Sequence, residues 1–163
     1  MEQEKEKNEE TFVKKVVQTA LEAERQIRRQ QVLHNTRMLM EEYIEMKRHI
    51  ESAVSEEEEL KEEQYDVFRG VGALLGSVRR AKMKTAMMIA NIDRAMEELR
   101  AEYETKEMIY KYDAFKMHYI DGVSYEEIAD IQNCGKNTPS RWSKELIRKM
   151  SVKLFGIDGV EKY

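Results

Sequence analysis

Proline is absent from the first 138 residues and occurs once in all 163, as Pro139, three residues ahead of the only tryptophan, Trp142. Proline breaks helix interiors because it lacks an amide proton and its ring collides with the preceding turn. A chain that almost excludes it, holds only seven glycines, and is 37% charged and 41% hydrophobic has few turn signals and many helix formers. The expected fold class is therefore all-α, with long N-terminal helices followed by a shorter C-terminal unit. A length of 163 residues suits one ordinary domain or two small ones.

Residues 1–10, MEQEKEKNEE, show no apolar periodicity and read as a frayed end. From Phe12 onward, Val13, Val16, Val17, Ala20, Leu21 and Ile27 recur at helical spacing and predict one amphipathic helix to about Leu33. Asn35 and Thr36 offer N-caps for a second helix, or for a bent continuation of the first, in which Met38, Leu39, Tyr43, Ile44, Met46 and Ile50 carry the stripe. SEEEELKEE at 55–63 buries almost nothing and reads as a solvated connector. Gly70, Gly72 and Gly76 read as a turn between helices. A dinucleotide-binding loop would need G-x-G-x-x-G after a strand, and here the second gap is one residue too long. Over 79–104, Met83, Ala86, Met87, Ala90, Met96, Leu99 and Tyr103 form a stripe expected to be core or a re-packable partner surface.

Several function classes fall away on composition. The single cysteine, Cys134, cannot make an internal disulfide or a multi-cysteine zinc site. His34, His49 and His118 are scattered, with no pair at the i, i+4 spacing that would set two imidazoles on one helix face. No carboxylates stand out as an acid and base pair, so no enzyme, cofactor or metal is expected. No apolar run reaches the roughly 20 residues that span a bilayer, and the acidic N-terminus has no secretory pattern, so a cytoplasmic protein is expected.

A net charge of -4 argues against a protein that coats nucleic acid by bulk attraction. The distribution matters more. Between Asn133 and Phe155 the cations are Lys136, Arg141, Lys144, Arg148, Lys149 and Lys153, and the lone anion is Glu145. Such a local excess is an electrostatic footprint.

The C-terminal third is the most specific part. Met108, Ile109, Tyr112, Phe115, Tyr119 and Ile120 predict a helix over about 106–121, closed by Gly122 as its left-handed stop. Ser124 and Glu127 form an S-x-x-E capping box opening a two-turn helix with Ile128 and Ala129. Ala129 stands where a large side chain would hold two crossing helices apart. After QNCGKNT, Thr138 is the expected N-cap and Pro139 the start signal of a third helix. Trp142, Leu146, Ile147, Met150 and Leu154 are its expected buried stripe, with Arg141, Lys144 and Arg148 at i, i+3, i+7 on the far side. A short helix, a turn and a basic amphipathic helix make a helix-turn-helix, whose second helix enters the major groove of double-stranded DNA. Lys144, Arg148 and Lys149 suit phosphate contact, which positions rather than specifies.

The stretch SYEEIADIQNCGKNTPSRW resembles the helix-turn-helix of sigma-factor region 4. NTRMLMEEYIEMKRHIESA, MKTAMMIANIDRAMEELRAEYE and the closing KLFGIDG resemble, in that order, the ArpU family of phage and prophage transcriptional regulators, related in arrangement to RinA-type activators. The resemblance implies a sequence-specific regulator of late or packaging genes in a bacterial host. It also implies a recognition helix beginning near Lys136, with Asn137, Thr138, Ser140, Arg141 and Lys144 toward DNA. Two positions depart from the pattern: Asn133 stands where glycine is usual, and Pro139 where a core valine or isoleucine is expected. Asparagine tolerates the left-handed region, and Pro139 is expected to shorten the helix. The organisation expected is a helical region at 1–104, for oligomerisation or partner contacts, and a helix-turn-helix domain at 105–163. Expected partners are double-stranded DNA, with RNA polymerase and a second copy of the chain as further candidates, and no membrane. A small terminase subunit that binds packaging-site DNA, and a helical adaptor on RNA polymerase, are the rival readings.

Overall fold

The computed structural model describes the backbone of residues 2–59 and 69–156, and side chains within 11–52 and 76–156. The rest of the acidic connector beyond Glu59 and the closing IDG at 157–159 lie outside the described residues. Six helices are present: α1 (Glu2–Glu41), α2 (Tyr43–Glu59), α3 (Arg69–Thr105), α4 (Ile109–Tyr119), α5 (Tyr125–Ile131) and α6 (Thr138–Phe155). No strand occurs among the described residues, and the fold is all-α.

Three boundaries differ from the sequence expectation. Residues 2–10 are helical rather than frayed, because glutamate, lysine and glutamine form helix well without any apolar periodicity. The helix also continues through 34–37. Thr36 is fully buried there and its hydroxyl donates to the Val32 carbonyl at 2.8 Å, so it does not cap a new helix. Only Glu42 interrupts the run into α2, and its amide still reaches the Met38 carbonyl at 3.0 Å. The bent continuation is what forms. Finally, Gly70, Gly72 and Gly76 lie inside α3 rather than in a turn.

The buried face of α3 is Ile89, Ile92, Ala95, Met96, Leu99 and Tyr103. Met83 and Met87, expected on that face, are 66% and 62% exposed. The bulky methionines suggested one phase of the helix, whereas the phase that closes the core is set by the branched Ile89 and Ile92 one turn further on.

One hydrophobic cluster holds the chain together: Met40 and Tyr43 from the α1–α2 bend, Ile92, Leu99 and Tyr103 from α3, Tyr112, Phe115 and Tyr119 from α4, and Leu146, Ile147 and Met150 from α6. It runs without a gap across the 104/105 boundary. Helix α6 sits at its centre, packed against α1, α3, α4 and α5. Helices α1 and α6, which pack together, each carry a fully buried small hydroxyl residue, Thr36 and Ser151. Ser151 bonds the Arg148 carbonyl of its own helix at 2.7 Å. Both hydroxyls are thus satisfied within their own helices and burial leaves neither orphaned.

Candidate nucleic-acid interface

The α5–turn–α6 unit is built by local hydrogen bonding. Ser124 opens α5 with a complete capping box: its amide donates to the Glu127 carboxylate at 3.0 Å, and its Oγ accepts the Glu127 amide at 3.3 Å. Just before it, Gly122 holds the expected positive φ of 71°. At the far end of α5, the Cys134 amide bonds the Ala129 carbonyl at 2.9 Å and the Asn133 amide bonds the Asp130 carbonyl at 3.2 Å. With Asn133 at φ 48°, this is a Schellman stop. Asparagine takes the left-handed position normally given to glycine because its short side chain tolerates it.

The start of α6 corrects one expectation. Asn137 is the N-cap and Thr138 is already helical, so Pro139 occupies the first turn one residue later than a Thr138 cap would place it. The Thr138 amide is taken by the Gly135 carbonyl at 2.8 Å, and its hydroxyl lies 3.5 Å from the Arg141 guanidinium instead of capping. Lys136 and Asn137 therefore lie in the turn and not on the helix. Pro139 is itself buried, which accounts for its standing where an aliphatic residue is expected.

The inner face of α6 is Pro139, Ser143, Leu146, Ile147, Met150 and Ser151. Trp142, expected in the core, is only half-buried, with its ring edge-on to Tyr110 at 5.2 Å. Ser143, the next residue along, takes the buried place on the inner face instead. Tyr110, missed in the sequence because it lies off the α4 apolar stripe, is 43% exposed, and its carbonyl accepts from Gln132 at 3.0 Å. Tyr125 stacks on His118 with ring centres 3.8 Å apart, and His118 Nδ1 lies 3.0 Å from the Val123 carbonyl. That stack fixes the entry of α5 onto α4.

The outward surface of the unit carries Lys136, Asn137, Arg141, Lys144 and Arg148, all exposed, with Thr138 and Ser140 half-exposed between them. Arg141, Lys144 and Arg148 lie in one row along α6. The adjoining exposed face of α5 is acidic, with Glu126, Glu127 and Asp130, which confines the cationic surface to α6 and the turn before it.

No family model matches this chain, and neither a curated protein nor a solved structure does. Among the described residues, no helix is long and apolar enough to cross a membrane, and no three His, Cys, Asp or Glu residues could together hold a metal ion.

Lys149 does not join the outward row. Its ammonium is paired with Glu102 on α3 at 2.5 Å, above the Tyr103 ring. Lys153 pairs with Glu98 at 3.0 Å, again on α3. Glu145, the lone anion of the segment, faces inward and accepts from Lys111 at 2.9 Å and from the Tyr103 hydroxyl at 2.7 Å. Burial works to raise the Glu145 pKa, but those two hydrogen bonds outweigh it and hold the carboxylate below its ordinary value. Thus α6 is tied to α3 by the ion pairs of Lys149 and Lys153, and Arg141, Lys144 and Arg148 lie exposed along its other side.

Glu102 is held down to about 2, first by the hydrogen bond from Lys106 and then by that from Lys149. A carboxylate whose folded pKa is depressed stabilises the fold above its ordinary pKa and loses that contribution as pH falls toward the folded value. Glu102→Gln is therefore expected to lower stability at pH 7 by about 1 kcal/mol or less, since the group is partly exposed and screened. The deficit should shrink between the ordinary 4.5 and about 2. Thermal melts of both proteins across that range check it, and a deficit independent of pH would contradict the assignment.

Proposed function

We propose that the chain is a sequence-specific DNA-binding transcriptional regulator that lays α6 in the major groove. The observation that carries this reading is the outward row Arg141, Lys144 and Arg148 on a helix whose other lysines, Lys149 and Lys153, are paired with carboxylates of α3. A planar guanidinium at Arg141, near the helix start, suits bidentate reading of guanine, while Lys136, Lys144 and Arg148 suit phosphates. Ser140 and Asn137 add neutral donors and acceptors at the same end. The resemblance to ArpU-type regulators directs the search to phage or prophage operators, late or packaging genes first, in a bacterial cytoplasm. Direct contact with RNA polymerase is compatible with the sigma-like unit, and polymerase retention without duplex selectivity would favour the adaptor reading instead.

Selection of bound duplexes from a random pool is the test. A recurrent motif is expected; equal competition by random DNA would remove the proposal. The four exposed cations give a further expectation. If each neutralises one phosphate, log K should fall against log salt with a slope of about -3.6 per protomer. Titrations at several salt concentrations measure it, and a flat dependence would exclude phosphate contact by this row.

A further inference from the structure

Lys149 follows Arg148 directly in α6 yet is missing from the outward row. One residue along a helix is a turn of about 100°, so Lys149 stands on the flank of α6, beside the row rather than opposite it. A helix about 10 to 12 Å across, laid in a groove about 12 Å wide, brings its flanks to the phosphate walls. An ammonium released there would be one more phosphate contact. It is instead held by Glu102 of α3 at 2.5 Å, and the two side chains keep 34% and 29% of their surface exposed. The pair is therefore not sealed in the core, and an exchange of partners by the lysine needs no opening of it.

We propose that Glu102 is an internal substitute for a DNA phosphate, withholding Lys149 from the duplex and so limiting how tightly the chain holds DNA of any sequence. The inference rests on the DNA reading of α6. Two arguments carry it. The carboxylate is tethered on a packed helix and competes with phosphate at a high effective concentration. A phosphate that took Lys149 would also leave the Glu102 charge, now shared with Lys106 alone, beside the phosphate wall, where like charges repel. The hold does not relax at mild acidity, because the hydrogen bonds from Lys106 and Lys149 keep the Glu102 pKa down to about 2. A neutral side chain at 102, by contrast, releases Lys149. Sequence-independent attraction is counted in neutralised phosphates, so Glu102 acts on that count directly.

The test titrates the full chain with a random-sequence duplex and with a selected one at several salt concentrations. Glu102→Gln should steepen the slope of log K against log salt from about -3.6 to about -4.5, the mark of one further phosphate. If the two proteins bind alike near 1 M salt, that change is a gain of roughly eightfold at 0.1 M. The small stability deficit expected for Glu102→Gln leaves the fold intact for these titrations. Lys149→Ala in the Glu102→Gln background should cancel the gain, whereas Lys106→Ala in it should not. Glu104→Gln removes the same charge from an exposed site on the same helix and should leave the slope near that of the parent. An unchanged slope for Glu102→Gln, an equal gain for Glu104→Gln, or a gain that survives Lys149→Ala would each overturn the inference while duplex selection by the parent leaves the DNA reading standing. A parent chain with no salt-dependent binding overturns both.

Discussion

Leu99→Ala is expected to destabilise the whole chain by about 2 to 5 kcal/mol, although Leu99 lies outside the α5–turn–α6 unit. Its side chain is fully buried in the cluster that also holds Phe115 and Met150. Removing three carbons there leaves a void that neither α4 nor α6 can close, since α6 is fixed on its other sides by α1 and by the lysine pairs to α3. Trp142 is the sole indole and reports α6, whereas far-ultraviolet circular dichroism reports all the helices. In urea both signals should move together to a lower midpoint in the variant. A tryptophan transition that stays where it was would mean that 105–163 folds independently of α3.

Arg141→Ala should weaken binding to a selected duplex by about 1 to 3 kcal/mol, or roughly 5- to 150-fold, while stability stays near that of the parent. The side chain is exposed, and its one hydrogen bond in the structure, 3.5 Å to the Thr138 hydroxyl, is long. Little of the fold is lost with it, whereas a bidentate partner for a base would be. Lys149→Ala is the internal contrast. Its ammonium is engaged with Glu102, so it should cost some stability and leave affinity within about threefold. Gel-shift titration of the two variants separates the cases, and unchanged affinity for Arg141→Ala would remove that residue from the interface.

What could be read from the sequence was what short-range hydrogen bonding determines. Ser124 and Glu127, Gly122 and Asn133 each stand within a few residues of the groups they bond, so the borders of α5 followed from residue types alone. Arg141, Lys144 and Arg148 were legible as a row because helical spacing places them together. Lys149 was not, because its partner Glu102 lies 47 residues away and no local pattern reveals a distant carboxylate. Trp142 misled for a related reason: size suggests burial, yet the face of α6 that meets the distant helices carries Ser143, and Trp142 lies beside it, half-buried. The same holds for Thr36, which reads locally as a cap and is in fact a small buried side chain in α1.

Because α1 is unbroken from Phe12 to Thr36, the angular relation between the exposed apolar stripe of Phe12, Val13, Val16, Val17, Leu21 and Ile27 and α6 is fixed by residue count. Each residue inserted near 28–31 would rotate the stripe by about 100° and move it about 1.5 Å further out. Two insertions would aim the stripe almost backwards, whereas seven would restore its direction to within about 20°. The uninterrupted helix therefore acts as a splined shaft, tolerant of changes in reach by whole double turns and intolerant of anything between.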